Sequence, residues 1–250
     1  GILGVFCFFL PSTPPSKGDR KNAALDALSE VGRNPLLTLF LVSVPISCIH
    51  QFYFVHTSGF LSAFQNSAAS AINDVLGVGG GGLMTIGQMS EFLVIAAIPM
   101  VAKQVSRKSL LLVGSAAYAL RMALFAYVNV IPLPPIATLV AGVALHGLCF
   151  GCFIFVAFMI VDEETGADVR ASAQSLYNFV FIGVGIIVGS QISGWAATWA
   201  QGTSAKLDYA DPAQTRALFS VPMWGAIACF AILFFFYPAR VRARAAVAAA

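Results

Sequence analysis

Long apolar stretches alternate with short polar ones along this chain: Pro35 to His56, Leu83 to Ala102, Leu110 to Asn129, Pro135 to Val161, Ser172 to Ala200 and Leu218 to Tyr237. A membrane-spanning helix needs about 20 apolar residues, each rising ~1.5 Å, to cross a ~30 Å hydrocarbon layer. Each stretch meets that length, so residues 35–237 are expected to form a bundle of six complete spanning helices. Ahead of them, residues 1–10 are apolar but only half a span long. They carry no basic n-region and no small-residue cleavage site, and so read as the end of a truncated transmembrane helix rather than a signal peptide. Residues 11–34 open with the proline-rich, basic run Pro11 to Lys21 and read as an aqueous linker with a short amphipathic piece from Asn22 to Arg33. Residues 238–250 form a tail.

Composition fixes the surroundings of this bundle. Of 250 residues, 58% are hydrophobic and 10% charged, with a mean hydropathy of +0.83; a water-soluble domain carries about 25% charged residues. The expected fold class is therefore all-α and integral to a membrane, with the lipid bilayer as an obligatory partner. Five cysteines, Cys7, Cys48, Cys149, Cys152 and Cys229, all fall in apolar stretches, which excludes a secreted disulfide scaffold. The net charge of +3 is spread over loops and tail without a basic, aromatic-interleaved face, which excludes nucleic acid as a partner. Lys17, Arg20, Lys21, Arg33, Lys103, Arg107, Lys108, Arg170, Arg240, Arg242 and Arg244 would all lie on one side of six alternating spans. That side is cytoplasmic by the positive-inside rule, so linker and tail are expected in the cytosol of a cell with this protein in its inner (plasma) membrane, a bacterial one by expectation.

Pro45, Pro99 and the small-residue run Gly183 to Ser190 lie within spans and predict a bent, tightly packed bundle. The glycine run Gly77 to Gly82 has neither a preceding strand nor a following Gly-Lys-Ser/Thr, and reads as an outer turn rather than a phosphate loop.

Ionisable groups inside spans are costly and point to function. Ten of the eleven acids fall in loops or at the surface; Glu91 alone is placed near mid-membrane. Gln88 lies three residues earlier on the same helical face, and a carboxamide beside a carboxyl can grip a hydroxylated or amide-bearing solute. Two readings of Glu91 stand side by side. It can load and release a proton as its exposure changes, as a proton-coupled carrier requires, or it can form a static ion pair with Arg121, which sits at a similar depth in the next span. His146, Cys149 and Cys152 share a spacing of three, but a single histidine among apolar neighbours does not make a metal site, so no metal and no other cofactor is expected. His146 and Phe150, four apart, suit a cavity wall with one hydrogen-bonding group and one ring, or else His146 is a packing residue. Gln51 lies at a height comparable to Gln88, where two helices can face one cavity, and His56 is expected at the outer interface beside Tyr53. No nucleophile-and-base set, catalytic carboxylate pair or His-Glu-x-x-His occurs, which argues against an enzyme.

Several stretches in order carry a resemblance: Gly87-Gln-Met-Ser-Glu91 leading to Ile98-Pro99, Leu112-Val-Gly114 to Arg121-Met-Ala-Leu-Phe-Ala126, Leu145-His-Gly-Leu-Cys-Phe150, and Val161-Asp-Glu-Glu to Val169-Arg-Ala-Ser-Ala-Gln174. Together they resemble the carboxy-terminal half of the nucleoside:proton symporter family of the major facilitator superfamily, over nearly the whole chain. The resemblance implies that the six spans are helices seven to twelve of a twelve-helix carrier and that residues 11–34 join two halves. It implies further that an amino-terminal six-helix half completes the site, and that a small solute, a nucleoside first of all, moves with protons by alternating access. It assigns sugar or base contacts to Gln88 and Glu91, a further polar contact to Gln51, and cavity positions to His146 and Phe150. The chain departs from the family pattern at Gly151, where an Asp is frequent, and at Phe54, where an Asn is frequent. The alternatives are a sugar or another solute in the same kind of carrier, or a membrane remnant that binds without transporting.

Overall fold

The computed structural model of the chain describes residues 2–11, 23–64, 74 and 82–239. Residues 12–22 of the linker, the glycine run up to residue 81 and the tail arginines lie outside these. Among the described residues the structure is helical, without strands: α1 Ile2–Cys7, α2 Ala23–Val31, α3 Leu36–Ala63, α4 Met84–Val101, α5 Arg107–Ala126, α6 Pro135–Glu164, α7 Arg170–Gln201 and α8 Pro212–Phe236. Helices α3 to α8 are the six that are long and apolar enough to cross a membrane, matching the six stretches read from the sequence.

The bundle is held by close approach at small residues, as expected where lipid offers no hydrophobic drive between helices. The most extensive contact joins α5 to α8, while α3 packs on both α7 and α8 and α4 packs on α6. Glycines line the seams. A Cβ at Gly189 would meet the Cys48 backbone at 2.7 Å across α3–α7, and one at Gly114 would meet the Phe153 backbone at 2.7 Å across α5–α6. Two segments widen to π-helical geometry, Phe150–Phe155 in α6 and Phe179–Val184 in α7. Ser47 on α3 donates to the Phe181 carbonyl, satisfying backbone that the widened turn exposes.

Polar contacts tie the helix ends together at one end of the bundle. Arg107 makes a forked pair with Glu163, Lys108 donates to the carbonyls of Phe234 and Tyr237 at the end of α8, and Glu30 of α2 accepts from the Gly166 N–H. At the other end the loop between α7 and α8 folds over α3. Here the expectation for His56 needs correction: it is buried, accepting from the Tyr209 hydroxyl at Nδ1 (2.9 Å) and donating from Nε2 to the Ser193 carbonyl (3.1 Å). Burial pushes the Tyr209 phenol up, so it keeps the proton it donates. The α7–α8 loop covers this end of α3, and Gly59 leaves room for the Tyr209 ring.

Two helices are left largely uncovered. On α4 only Gly87 and Ile98 are buried, and on α7 Phe179, Ile187, Trp195 and Trp199 stand exposed. They flank the face on which α3 and α6 meet.

Candidate functional site

The polar residues of α4, α5 and α6 converge at mid-span. Glu91 lies seven residues from the start of α4 (91 − 84), or about 10 Å along it, and its side chain is 20% exposed. Its Oε2 is 3.2 Å from His146 Nε2. On the far side of the imidazole, Nδ1 is 3.0 Å from Nη1 of Arg121. A guanidinium only donates, so Nδ1 is the acceptor and the ring proton sits on Nε2, directed at the carboxyl. The alternative reading of a direct ion pair between Glu91 and Arg121 is thus corrected: His146 stands between them. The reason is steric. The α4–α6 seam is closed by Gly87 and Gly147, which brings Glu91 onto α6 before it reaches α5.

The seam also explains the local register. Ser90 Oγ donates to the Gly87 carbonyl (2.7 Å) and accepts from the Gly147 N–H (3.0 Å), which fixes the turn that carries Glu91 against the turn that carries His146. A side chain at Gly151 would meet Val94 Cγ1 at 2.6 Å, so the packing of α4 fills the space beside that position.

Aromatic rings build the rest of the wall. His146 is stacked on His50 and Tyr53 of α3, with centroids 5.5 and 5.2 Å apart and planes 21° apart in both cases, and Phe54 meets it edge-on at 5.8 Å. Phe150, one turn along α6, lies 6.2 Å from His50. His50 Nδ1 bonds the Tyr118 hydroxyl at 2.9 Å. Arg121 is fully buried, with its guanidinium carbon 4.1 Å over the Tyr53 ring and 5.1 Å over Tyr118. Desolvated cation–π contacts of this kind stabilise by about 2 kcal/mol. Phe54 is 43% exposed, so the site opens on the uncovered face between α4 and α7.

Of the residues singled out from the sequence, Glu91, His146, Phe150 and Arg121 are brought together. Gln51 instead donates to Ser190 of α7 at 3.1 Å, and Gln88 stands exposed on the flank of α4 beside Met89, Phe92 and Leu93. The structure adds His50, Tyr53 and Tyr118. Their signal was present: Tyr118 is three residues before Arg121, and His50 four before Phe54, both helical spacings in otherwise apolar spans. Among the described residues there is no group of three metal-ligating side chains.

The family description that matches is nucleoside H+ symporter, over residues 1–240. Among curated proteins the chain is similar to YegT of Escherichia coli (strain K12), a candidate nucleoside transporter by name, at 29% identity over 197 residues, 77% of this chain and 44% of that one. It is similar to the nucleoside permease NupG of the same organism at 28% over 201 residues, 77% and 47% respectively, and to the xanthosine permease at 28% over 210 residues, 79% and 48%. The chain thus spans about half the length of the curated relatives it matches. In structure it is similar to a crystal structure of the nucleoside transporter NupG, with a TM-score of 0.72 and 23% identity over 93% of this chain and 57% of that one.

Proposed function

Because this chain belongs to the nucleoside H+ symporter family, we propose that it forms one six-helix half of a secondary carrier that moves a nucleoside together with protons. Its fold is that of the carboxy-terminal half of a major facilitator superfamily transporter, and its matched relatives are transporters and permeases rather than enzymes. In this reading the solute rests on the open face between α4 and α7. A second six-helix half closes over it from the other side, and rocking of the halves exposes the site to each side of a bacterial inner membrane in turn. The end bearing Arg33, Lys103, Arg107, Lys108 and Arg170 faces the cytosol.

The observation that carries the reading is the partly exposed Glu91 carboxyl at mid-span, set among rings. Glu91 carries the coupled proton and accepts from solute hydroxyl or amide groups. His146 and Phe150 form the wall, and Gln51 and Gln88 reach the solute from the two flanks. The rings of Phe54, His50 and Phe150 suit a flat base, which favours a nucleoside over a sugar alone. The test is uptake of radiolabelled uridine by vesicles holding the full-length protein, driven by an imposed pH gradient, with unlabelled nucleosides and sugars as competitors. Gradient-dependent uptake blocked by nucleosides is expected; uptake blocked by sugars alone would overturn the choice of solute.

A further inference from the structure

Arg121 is the largest fully buried side chain among the described residues, and two of its nitrogens, Nε and Nη2, have no hydrogen-bond partner among them. A guanidinium kept at this depth for packing alone would be matched by a carboxylate or by carbonyls. Its one hydrogen bond instead goes to an imidazole whose other nitrogen points at Glu91. We infer that Arg121 acts on Glu91 through His146, and that the two are positioning residues for proton release. The inference rests on the reading of Glu91 as the proton-coupling group.

The geometry allows the relay one direction. Arg121 holds Nδ1 as an acceptor, which leaves Nε2–H to donate to the carboxyl. The ring cannot turn away: Tyr53 and His50 stack on it from α3, and Gly87 of α4 lets its Cβ within 3.1 Å of where a side chain would begin. The titratable groups around it are His50 and Tyr53 from α3, Glu91 from α4, Tyr118 and Arg121 from α5 and Cys149 of its own helix. Of these, Arg121 is the fixed charge and Glu91 the one carboxyl. When Glu91 gives its proton to water in the cavity, only its O–H bond breaks. The new carboxylate accepts Nε2–H, and the charge of Arg121 is balanced across the ring. When Glu91 is protonated that balance is missing, so the buried guanidinium favours completion of the release step.

The test separates net proton-coupled accumulation from solute exchange, which needs no net proton release. Full-length protein in proteoliposomes is assayed for gradient-driven uridine accumulation and for uridine counterflow without a gradient. For R121M, accumulation is expected to fall about tenfold or more, the scale of a lost charge-assisted hydrogen bond, with counterflow kept within about threefold, and H146L is expected to lose accumulation to the same extent. H146Q offers an acceptor to Arg121 and a donor to Glu91, and is expected to retain accumulation. The double variant R121M/H146L should be no worse than either single one, because both break the same chain. Parallel loss of accumulation and counterflow in R121M, additive losses of accumulation in the double variant, or failure of H146Q to rescue accumulation relative to H146L would overturn the relay. Where R121M does not reach the membrane, the comparison of H146Q with H146L carries the test. If E91Q accumulates uridine normally, the reading of Glu91 itself fails. If E91Q fails while R121M accumulates at the normal level, the relay alone falls.

Discussion

Adding one methyl group at Gly147 should damage the site from a distance that the structure specifies. A Cβ there would lie 2.5 Å from the Ser90 carbonyl carbon and 2.8 Å from the Glu91 amide nitrogen. Carbon atoms in unstrained contact stay ~3.5–4.0 Å apart, so α4 must retreat by about 1 Å. The 3.2 Å contact between Glu91 and His146 is on that same turn, and a ~1 Å retreat takes it beyond hydrogen-bonding range. Overpacking of this kind costs ~1–3 kcal/mol. Gly147→Ala is therefore expected to lower the unfolding temperature in detergent and to reduce gradient-driven uridine accumulation together. Gly151→Ala is the control, since its Cβ would meet a Val94 methyl at 2.6 Å rather than backbone. Adding Val94→Ala should restore Gly151→Ala but not Gly147→Ala. Normal stability and accumulation in Gly147→Ala, or its rescue by Val94→Ala, would refute the account of the α4–α6 seam.

Ser90→Ala leaves the Gly147 N–H without its acceptor and should cost ~1–3 kcal/mol in thermal unfolding; no loss would mean the amide finds another partner. Tyr209→Phe removes the hydroxyl held by His56 and should cost ~1 kcal/mol without altering uridine counterflow. Unchanged stability there would dismiss the loop as a cover for α3. Glu163→Gln breaks the fork with Arg107, but Glu163 is 42% exposed, so the loss should stay below ~1 kcal/mol and shrink further in high salt. A larger, salt-independent loss would show that this end is more enclosed than the structure has it.

The spans were legible because lipid imposes a length on apolar runs. Their ends were less so. Helix α3 continues to Ala63, seven residues past His56 (63 − 56), because the Tyr209 loop covers that polar extension, a tertiary contact with no local signature. Helix α8 begins at Pro212, where the Asp211 side chain accepts from the Ala213 N–H; that cap was written in the Asp-Pro pair, and the hydropathy of the following turn hid it. In the site, Glu91 stood out as the only acid among apolar neighbours, and Arg121 as its match in depth. Which of His146 and Arg121 touches Glu91 depends on how closely three helices approach. That distance is set by Gly87 and Gly147, and a glycine within a span signals close packing without naming its partner. The π-helical turns at Phe150 and Phe179 left no period in the sequence to read.

The central claim is that Glu91 couples solute to protons, and the most direct measurement compares wild type with Glu91→Gln in the full-length protein, scoring uridine binding and pH-gradient-driven accumulation side by side. The carboxamide keeps an acceptor for His146 and for the solute but cannot carry the proton. The account predicts binding within about threefold of wild type and accumulation reduced to the level seen without a gradient. Equal loss of both would make Glu91 a binding or structural residue, and accumulation that survives the substitution would place the coupling group elsewhere.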